Sequence, residues 1–438
     1  MNTKPAPTLK PRDRDTIIAA LRAGVVPRVG LQHIQVGRQK EVEALIKDID
    51  RVADGGSTIR FIIGEYGAGK TFFLFLVRQI AFQKKLAVCQ ADLSPDRRIH
   101  ATGGQARMLY AELVKSLSTR TTPDGGALKN IIESFIQKCV ERAQANGKSL
   151  ETCINESLGD IREMVAGYDF AAVLAAYAKG HEEDNSHLQD CALRWLRGEY
   201  TTKTEARNDL GVRTIIDDAS FYDALRLLAR FVRVAGYSGL LVCLDELVNL
   251  YKLQNSQARK QNYEQILRIL NDVLQGTTEG IGFVMGGTPE FLLDSRRGLY
   301  SYEALQSRLA ANVFAGSGLV DYSGPVIKLP NLTPEELYHL LERLRDVFAS
   351  GIPDKRLVPD EALHSFMDHC HNNIGEAYFR TPRNSVKAFV DMLALLDQNP
   401  TLAWTSLIEE VRIDADNGAA NDVATAEDVD DELTTLRI

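Results

Sequence analysis

The stretch Arg60-Phe-Ile-Ile-Gly-Glu-Tyr-Gly-Ala-Gly-Lys-Thr71 constrains this chain more than any other. Gly64, Gly69, Lys70 and Thr71 fit the pattern G-x-x-x-x-G-K-[ST], with Gly67 as an additional glycine between them. Glycines allow backbone N–H groups to turn inward and approach phosphate oxygens with no Cβ in the way. Lys70 adds a positive charge for the β- and γ-phosphates, and the Thr71 hydroxyl suits a magnesium ion. The flanks are those the loop requires. An apolar run, Ile59–Ile63, precedes it, and Phe72-Phe-Leu-Phe-Leu-Val follows with helix-compatible spacing. Strand, glycine loop and helix in that order place an anion at a helix N-terminus. A nucleoside triphosphate is therefore the expected ligand, held by Gly64, Glu65, Tyr66, Gly67, Ala68, Gly69, Lys70, Thr71 and Phe72.

A loop of this kind needs acids at the end of a neighbouring strand. Gly239-Leu-Leu-Val-Cys-Leu-Asp-Glu246 is an unbroken apolar run that ends in two of them, as a strand buried on both faces reads. Asp245 is the expected Mg²⁺ ligand and Glu246 the residue expected to polarise an attacking water. Lys70 and Asp245 lie 175 positions apart, far more than one strand–helix crossover uses. The interval is filled by apolar helical patterns from about 121 to 211 (Leu128, Ile131, Ile132, Phe135, Cys139 and Val140 in the first), so a helical insertion is expected there.

The remaining apolar runs complete an α/β pattern: Leu86–Asp92, Ile281–Met285 and Val326–Leu329 read as strands, with helices between them. The expected fold is a P-loop NTPase, a three-layer parallel sheet with a helical insertion and a C-terminal α-helical lid. Its divisions are an N-terminal arm and short helix at 1–33, the core at 34–330, the lid at 331–398, and a short element with an acidic tail at 399–438. Thr333-Pro-Glu-Glu336 is a helix start, with Thr333 as cap and Glu336 closing a capping box. From Asp414 onward eight acids face one base, Arg437, so nearly all of the net charge of −8 lies there and disorder is expected. The balanced body carries no Lys/Arg stripe that would mark a phosphate-tracking face.

Other polar residues are open to two readings. Thr288, after the strand Ile281–Met285, suits a γ-phosphate or lytic-water contact and equally a Thr-Pro turn. Arg308, and the pair Arg296-Arg297, suit a charge donated to a neighbouring subunit's nucleotide or ordinary solvated arginines. Arg383 suits a phosphate contact from the lid or a helix-terminal surface charge. His364, His369, Cys370 and His371 match no closed zinc pattern, and no zinc site is expected. Six scattered cysteines without a C-x-x-C pair fit reduced thiols in a cytoplasmic protein. No signal peptide or membrane-spanning run is present in the sequence, so no membrane partner is expected.

Assembled, these residues resemble the AAA+ ATPases of the origin-recognition and STAND type. Val36-Gly37-Arg38 is similar to their adenine-side box, Gly64–Thr71 to Walker A, Leu244-Asp-Glu246 to Walker B and Gly286-Gly-Thr-Pro289 to sensor 1. Ser307-Arg-Leu309 resembles an arginine-finger site and Thr381-Pro-Arg383 a sensor 2. More narrowly, Asp92-Leu-Ser-Pro-Asp-Arg-Arg98, Leu244–Lys252, Thr288–Gly298 and Ser301–Leu309 resemble the ATP-binding proteins of bacteriophage exclusion (BREX) systems. The resemblance implies ATP and Mg²⁺ as ligands, Glu246, Lys70, Arg308, Arg383 and Thr288 as catalytic residues, and ATP hydrolysis. It further implies a homo-oligomer working with helicase- or methyltransferase-type defence proteins, on DNA or on a DNA-acting partner. A slow-cycling ATP-dependent switch or scaffold is the alternative. One departure stands out: origin-recognition ATPases carry a winged-helix domain after the lid, and none is expected here.

Overall fold

The computed structural model describes residues 9–315, 320–380 and 382–411. The N-terminal arm up to Thr8, the acidic tail from Arg412 and Thr381 lie outside the described residues. The chain forms two compact units, one from Val26 to Asn331 and the other combining the N-terminal segment with the residues from Leu332 onward.

The larger unit is built on five parallel strands, β1 (Ser57–Ile63), β2 (Leu86–Asp92), β3 (Gly239–Asp245), β4 (Ile281–Gly287) and β5 (Val326–Lys328). Their spatial order is β2-β3-β4-β1-β5. Period-two alternation divides the strand side chains between two layers. Ile62, Val88, Leu241, Cys243 and Val284 pack with helices Gln39–Ala53 and Lys70–Gln83 on one face. Ile59, Phe61, Cys89, Val242, Leu244 and Phe283 pack on the other face with helices Gln105–Lys115, Phe221–Val234 and Ser256–Leu274. A sheet buried on both sides explains the apolar runs of the sequence.

β4 runs two residues further than its apolar stretch suggests, through Gly286 and Gly287, because these pair with Ile62 and Ile63 of β1. Helix Gln105–Lys115 ends before Ser118, whose backbone pairs with Val88 at the β2 edge. Within the insertion, the stretch after Leu150 forms two short helices, Leu150–Ser157 and Gly159–Arg162, and the next helix, Gly167–Glu182, runs through Gly180. Helix Lys203–Leu210 has too few apolar residues to be read from periodicity, and Thr202 caps it.

The insertion shares its core with the sheet. Phe135 and Phe170 meet Phe231 edge-to-face at 5.5 and 6.0 Å, and Lys138 Nζ donates to the Ala235 carbonyl at 2.7 Å. Asp169 closes its exit by accepting from the Arg213 and Thr214 N–H groups at 3.0 and 2.8 Å. Among the described residues no helix is long and apolar enough to cross a membrane.

In the smaller unit Thr333 and Glu336 form the expected capping box at the start of helix Pro334–Phe348. Helix Pro11–Arg22 belongs with it: Ile17 is fully buried, Arg14 Nε donates to the Phe348 carbonyl at 3.0 Å, and Arg22 pairs with Asp391 at 2.9 Å. Partners more than 330 positions away in sequence leave no local signal. The histidines serve packing here, His364 stacking on Tyr338 at 4.7 Å and His369 Nε2 bonding the Val411 carbonyl at 2.8 Å.

One buried ion pair locks the approach to the glycine loop. Arg60 of β1 forms a two-pronged contact with Asp48 (Nη2–Oδ1 2.9 Å), and its Nη1 holds the Gly324 carbonyl. Removing one partner of such a pair strands a buried charge. Asp48→Ala is expected to lower unfolding free energy by about 3–5 kcal/mol in chemical denaturation, and a loss below about 1 kcal/mol, the range of exposed pairs, would show that the pair is not effectively buried.

Candidate functional site

The loop after β1 takes its shape from its glycines. Gly67 and Gly69 sit at φ 79° and 76°, a left-handed region that costs other residues strain, and Gly69 caps helix Lys70–Gln83. At Gly64 a Cβ would press against Ala68 and the Leu329 carbonyl at 3.2 Å. Its N–H bonds the Gly287 carbonyl at 3.2 Å, tying the loop to the end of β4. Ala68 is buried, Phe72 half-buried, and Glu65 and Tyr66 face solvent. Val36, Gly37 and Arg38 form the turn before helix Gln39–Ala53, with Gly37 and Arg38 both left-handed. From there the Arg38 guanidinium holds the Ala68 carbonyl and reaches that of Gly69 at 3.5 Å, bracing the loop from outside.

Residues 174 positions apart then meet: Thr71 Oγ1 donates to Asp245 Oδ2 at 3.0 Å. Asp245 is almost fully buried, and its other oxygen accepts from the Glu246 N–H at 2.9 Å. Gly286 makes this placement available, because a Cβ there would lie 2.3 Å from Asp245 Oδ1. The second glycine, Gly287, makes room in the same way for the Phe291 ring. Glu246 itself is left-handed at φ 57°, a conformation rare for a residue with a side chain. The bonds of Leu93 N–H to the Asp245 carbonyl and of Leu247 N–H to the Gly286 carbonyl, both 3.0 Å, hold the chain on either side of it.

Lys70 Nζ donates to the carbonyls of Gly64 (2.8 Å) and Glu65 (2.9 Å). Burial pushes its amine below the usual lysine range, against the opposing pull of Asp245, Glu246, Glu65 and Glu290. The Glu246 carboxyl is raised, first by lost hydration and then by Asp245 beside it, with Lys70 acting in the other direction. Asp92, the last residue of β2, stands in register with Asp245. Its carboxyl is raised by desolvation and then by Asp245. Two adjacent buried strands that both end in acid are the signal that identifies it. Asn249 also escaped the sequence reading; its Nδ2 holds the Leu93 carbonyl at 2.8 Å, joining the ends of β2 and β3.

The remaining candidates are placed differently. Thr288 caps helix Pro289–Leu293, its hydroxyl accepting from the Phe291 N–H at 3.4 Å. Arg308 is exposed on helix Glu303–Leu309 and donates to the Ala304 carbonyl of its own turn at 2.8 Å. Arg297 turns inward, to the Tyr251 and Leu253 carbonyls at 3.2 Å each and over the Tyr251 ring, so it holds a loop in place. Arg383 opens helix Arg383–Gln398 of the smaller unit.

A parallel sheet whose first strand feeds a glycine loop and helix, with an acid pair closing a strand two places away, defines a P-loop NTPase of the AAA+ type. The family model "BREX system ATP-binding protein BrxC/D" matches residues 9–412. The chain belongs to that family. Among solved structures it is similar to the Aeropyrum pernix ORC2 protein (ADPNP-ADP complexes), at 14% identity and a TM-score of 0.45. That likeness covers 85% of this chain and 66% of the other, just under two thirds of its length. No curated protein matches the chain.

Because Gly286 borders Asp245 so closely, Gly286→Ala is expected to destabilise the fold by about 1–3 kcal/mol, the cost of overpacking, as read by thermal or chemical denaturation. Unchanged stability would mean that the carboxylate is not fixed against β4.

Proposed function

We propose that this protein binds ATP with Mg²⁺ and hydrolyses it, as the ATP-driven component of a BREX defence system. The observation that carries the reading is the convergence of Lys70, Thr71, Asp245 and Glu246 from two distant parts of the chain. The donor set fits a small hard cation, with one hydroxyl and one buried carboxylate 3.0 Å apart and the remaining positions left to water and phosphate. Thr71 and Asp245 would hold Mg²⁺, which when bound neutralises charge on the β- and γ-phosphates. The amide-lined turn from Gly64 to Gly69 receives phosphate oxygens at the N-terminus of helix Lys70–Gln83. Lys70, freed from the Gly64 and Glu65 carbonyls, moves onto the β/γ oxygens.

Glu246 orients and polarises the attacking water, and its raised carboxyl makes it a better proton acceptor than an ordinary glutamate. Asp92 raises Glu246 further and so tunes that base. Thr288 contacts the water or γ-phosphate through the proton that its capping role leaves free. Arg383 acts on the nucleotide in cis and Arg308 in trans in a homo-oligomer. The action is directed to DNA or to a DNA-acting partner of the helicase or methyltransferase type, with the helical insertion as the surface for partner recognition.

Glu246→Gln keeps the shape and removes the base. It is expected to retain ATP binding, read by equilibrium titration, while steady-state turnover falls by about 10²–10⁴-fold, the usual span for a general base. Full turnover in that variant would remove the assignment. The same assay run with and without duplex DNA separates the two modes of action: stimulation supports a motor, and a flat, very slow rate supports the switch.

A further inference from the structure

A group of charged side chains that the nucleotide site does not use lies at the other end of the sheet. A cavity of about 230 Å³ opens there against Ile281, the first residue of β4. Gly286, which borders Asp245, is five residues further along the same strand, a span of about 17 Å. The cavity is therefore separate from the glycine loop. Three parts of the chain build it. Asp160 and Met164 come from the helical insertion, Arg226 and Arg230 from helix Phe221–Val234, and Gly276 to Glu279 from the loop before β4.

The loop is held at both ends. Thr277 N–H and Oγ1 both donate to the Asp272 carbonyl, at 3.0 and 3.1 Å, and Gly280 N–H bonds the Gly55 and Gly56 carbonyls at 2.9 Å each. Thr278 between them is 5% exposed, and its Oγ1 has no hydrogen-bond partner among the described residues. A buried hydroxyl in that state costs free energy. Arg226 donates to the Thr277 carbonyl at 3.2 Å, while its carboxylate partner, Asp223, lies 3.7 Å away and closer to Arg268, at 3.0 Å. Arg230 spans the opening between Asp160 and Glu279, the latter 3.0 Å away and shared with Arg233 at 3.9 Å. The Asp160 and Glu279 side chains are 74% and 66% exposed, against 28% for each of Arg226 and Arg230. The acids thus stand at the rim and the two guanidinium groups further in. Exposed pairs of this kind are weak and exchange readily for another anion.

The geometry points to a binding site for a small phosphate, as the free ion or as a phosphomonoester, held by Arg226, Arg230 and the Thr278 hydroxyl. Guanidinium forks match phosphate oxygens, and a charged acceptor satisfies the buried hydroxyl better than a neutral one. The same two arginines repel a metal ion. The volume is below the roughly 300–1,000 Å³ of sites for drug-sized ligands, so a compact anion fits and a whole nucleoside triphosphate does not. An anion seated there bridges helix Phe221–Val234 to the loop that leads into β4, beneath the insertion residues Asp160 and Met164.

The glycine loop is itself a phosphate acceptor, so the test uses the full-length Lys70→Ala protein, alone and with further changes in the cavity. Equilibrium dialysis with radiolabelled inorganic phosphate, at constant ionic strength in chloride, is expected to show saturable binding to Lys70→Ala. Adding Arg226→Gln and Arg230→Gln is expected to weaken it by about tenfold or more, the effect of losing a charge-assisted hydrogen bond. Thr278→Val keeps the shape and removes the hydroxyl. It is expected to weaken binding by a similar factor while raising the thermal midpoint of the phosphate-free protein, which a variant that misfolds does not do. Unlabelled glycerol 3-phosphate that displaces the label supports a phosphomonoester as occupant, and label that resists it supports the free ion. Binding that disappears with Lys70→Ala alone, or that survives both cavity variants unchanged, would overturn the inference.

Discussion

The hydrogen bond from Thr71 to Asp245 is the interaction on which the site depends. It joins the first turn of one helix to the end of β3, across a sheet in which β1 and β3 are separated by β4. Nothing in the local chemistry of either stretch creates that proximity; the parallel register does. β4 pairs with both neighbours, and its last two residues are glycines because the space beside them is taken by the Asp245 carboxylate and the Phe291 ring. The apolar layers above and below the sheet hold the register that makes the bond possible. Charge is then concentrated at one point of the molecule, with one partly desolvated lysine among several carboxylates. A polyanion with its cation fits such a place, because it brings both the negative groups for the lysine and the positive charge for the acids.

The elements closest to this site were the most legible in the sequence. A strand buried on both faces leaves an unbroken apolar run, and the loop between β1 and its helix must use glycine wherever backbone has to approach a ligand. Asp245 and Glu246 were readable because acids at the end of such a run have few other purposes. Asp92 was not, because its significance lies in the residue across from it, and strand order is not written in either strand. Arg297 was misread for a related reason: its inward contacts to Tyr251 and Leu253 come from the fold, whereas the sequence shows only one of two adjacent arginines. Gly286 and Gly287 lie beyond the apolar run Ile281–Met285 and are strand, since glycine at a strand end serves close packing.

The helical insertion illustrates a different limit. Its existence followed from spacing alone, but its attachment did not. Aromatic contacts through Phe231 and the Lys138 bond to Ala235 fuse it to the sheet's own core, so it is part of the same folded layer. The N-terminal helix shows the same lesson at longer range, finding its place beside helices encoded at the other end of the chain.

We propose that Asp245 and Thr71 supply a magnesium position that works together with the glycine loop on one bound triphosphate. Its most direct test is the equilibrium affinity for ATP, measured with Mg²⁺ and with chelator, in the wild-type chain and in Asp245→Asn. Mg²⁺ is expected to tighten wild-type binding at least tenfold, and the asparagine variant is expected to bind ATP with little response to the metal. Equal metal dependence in both proteins would contradict it.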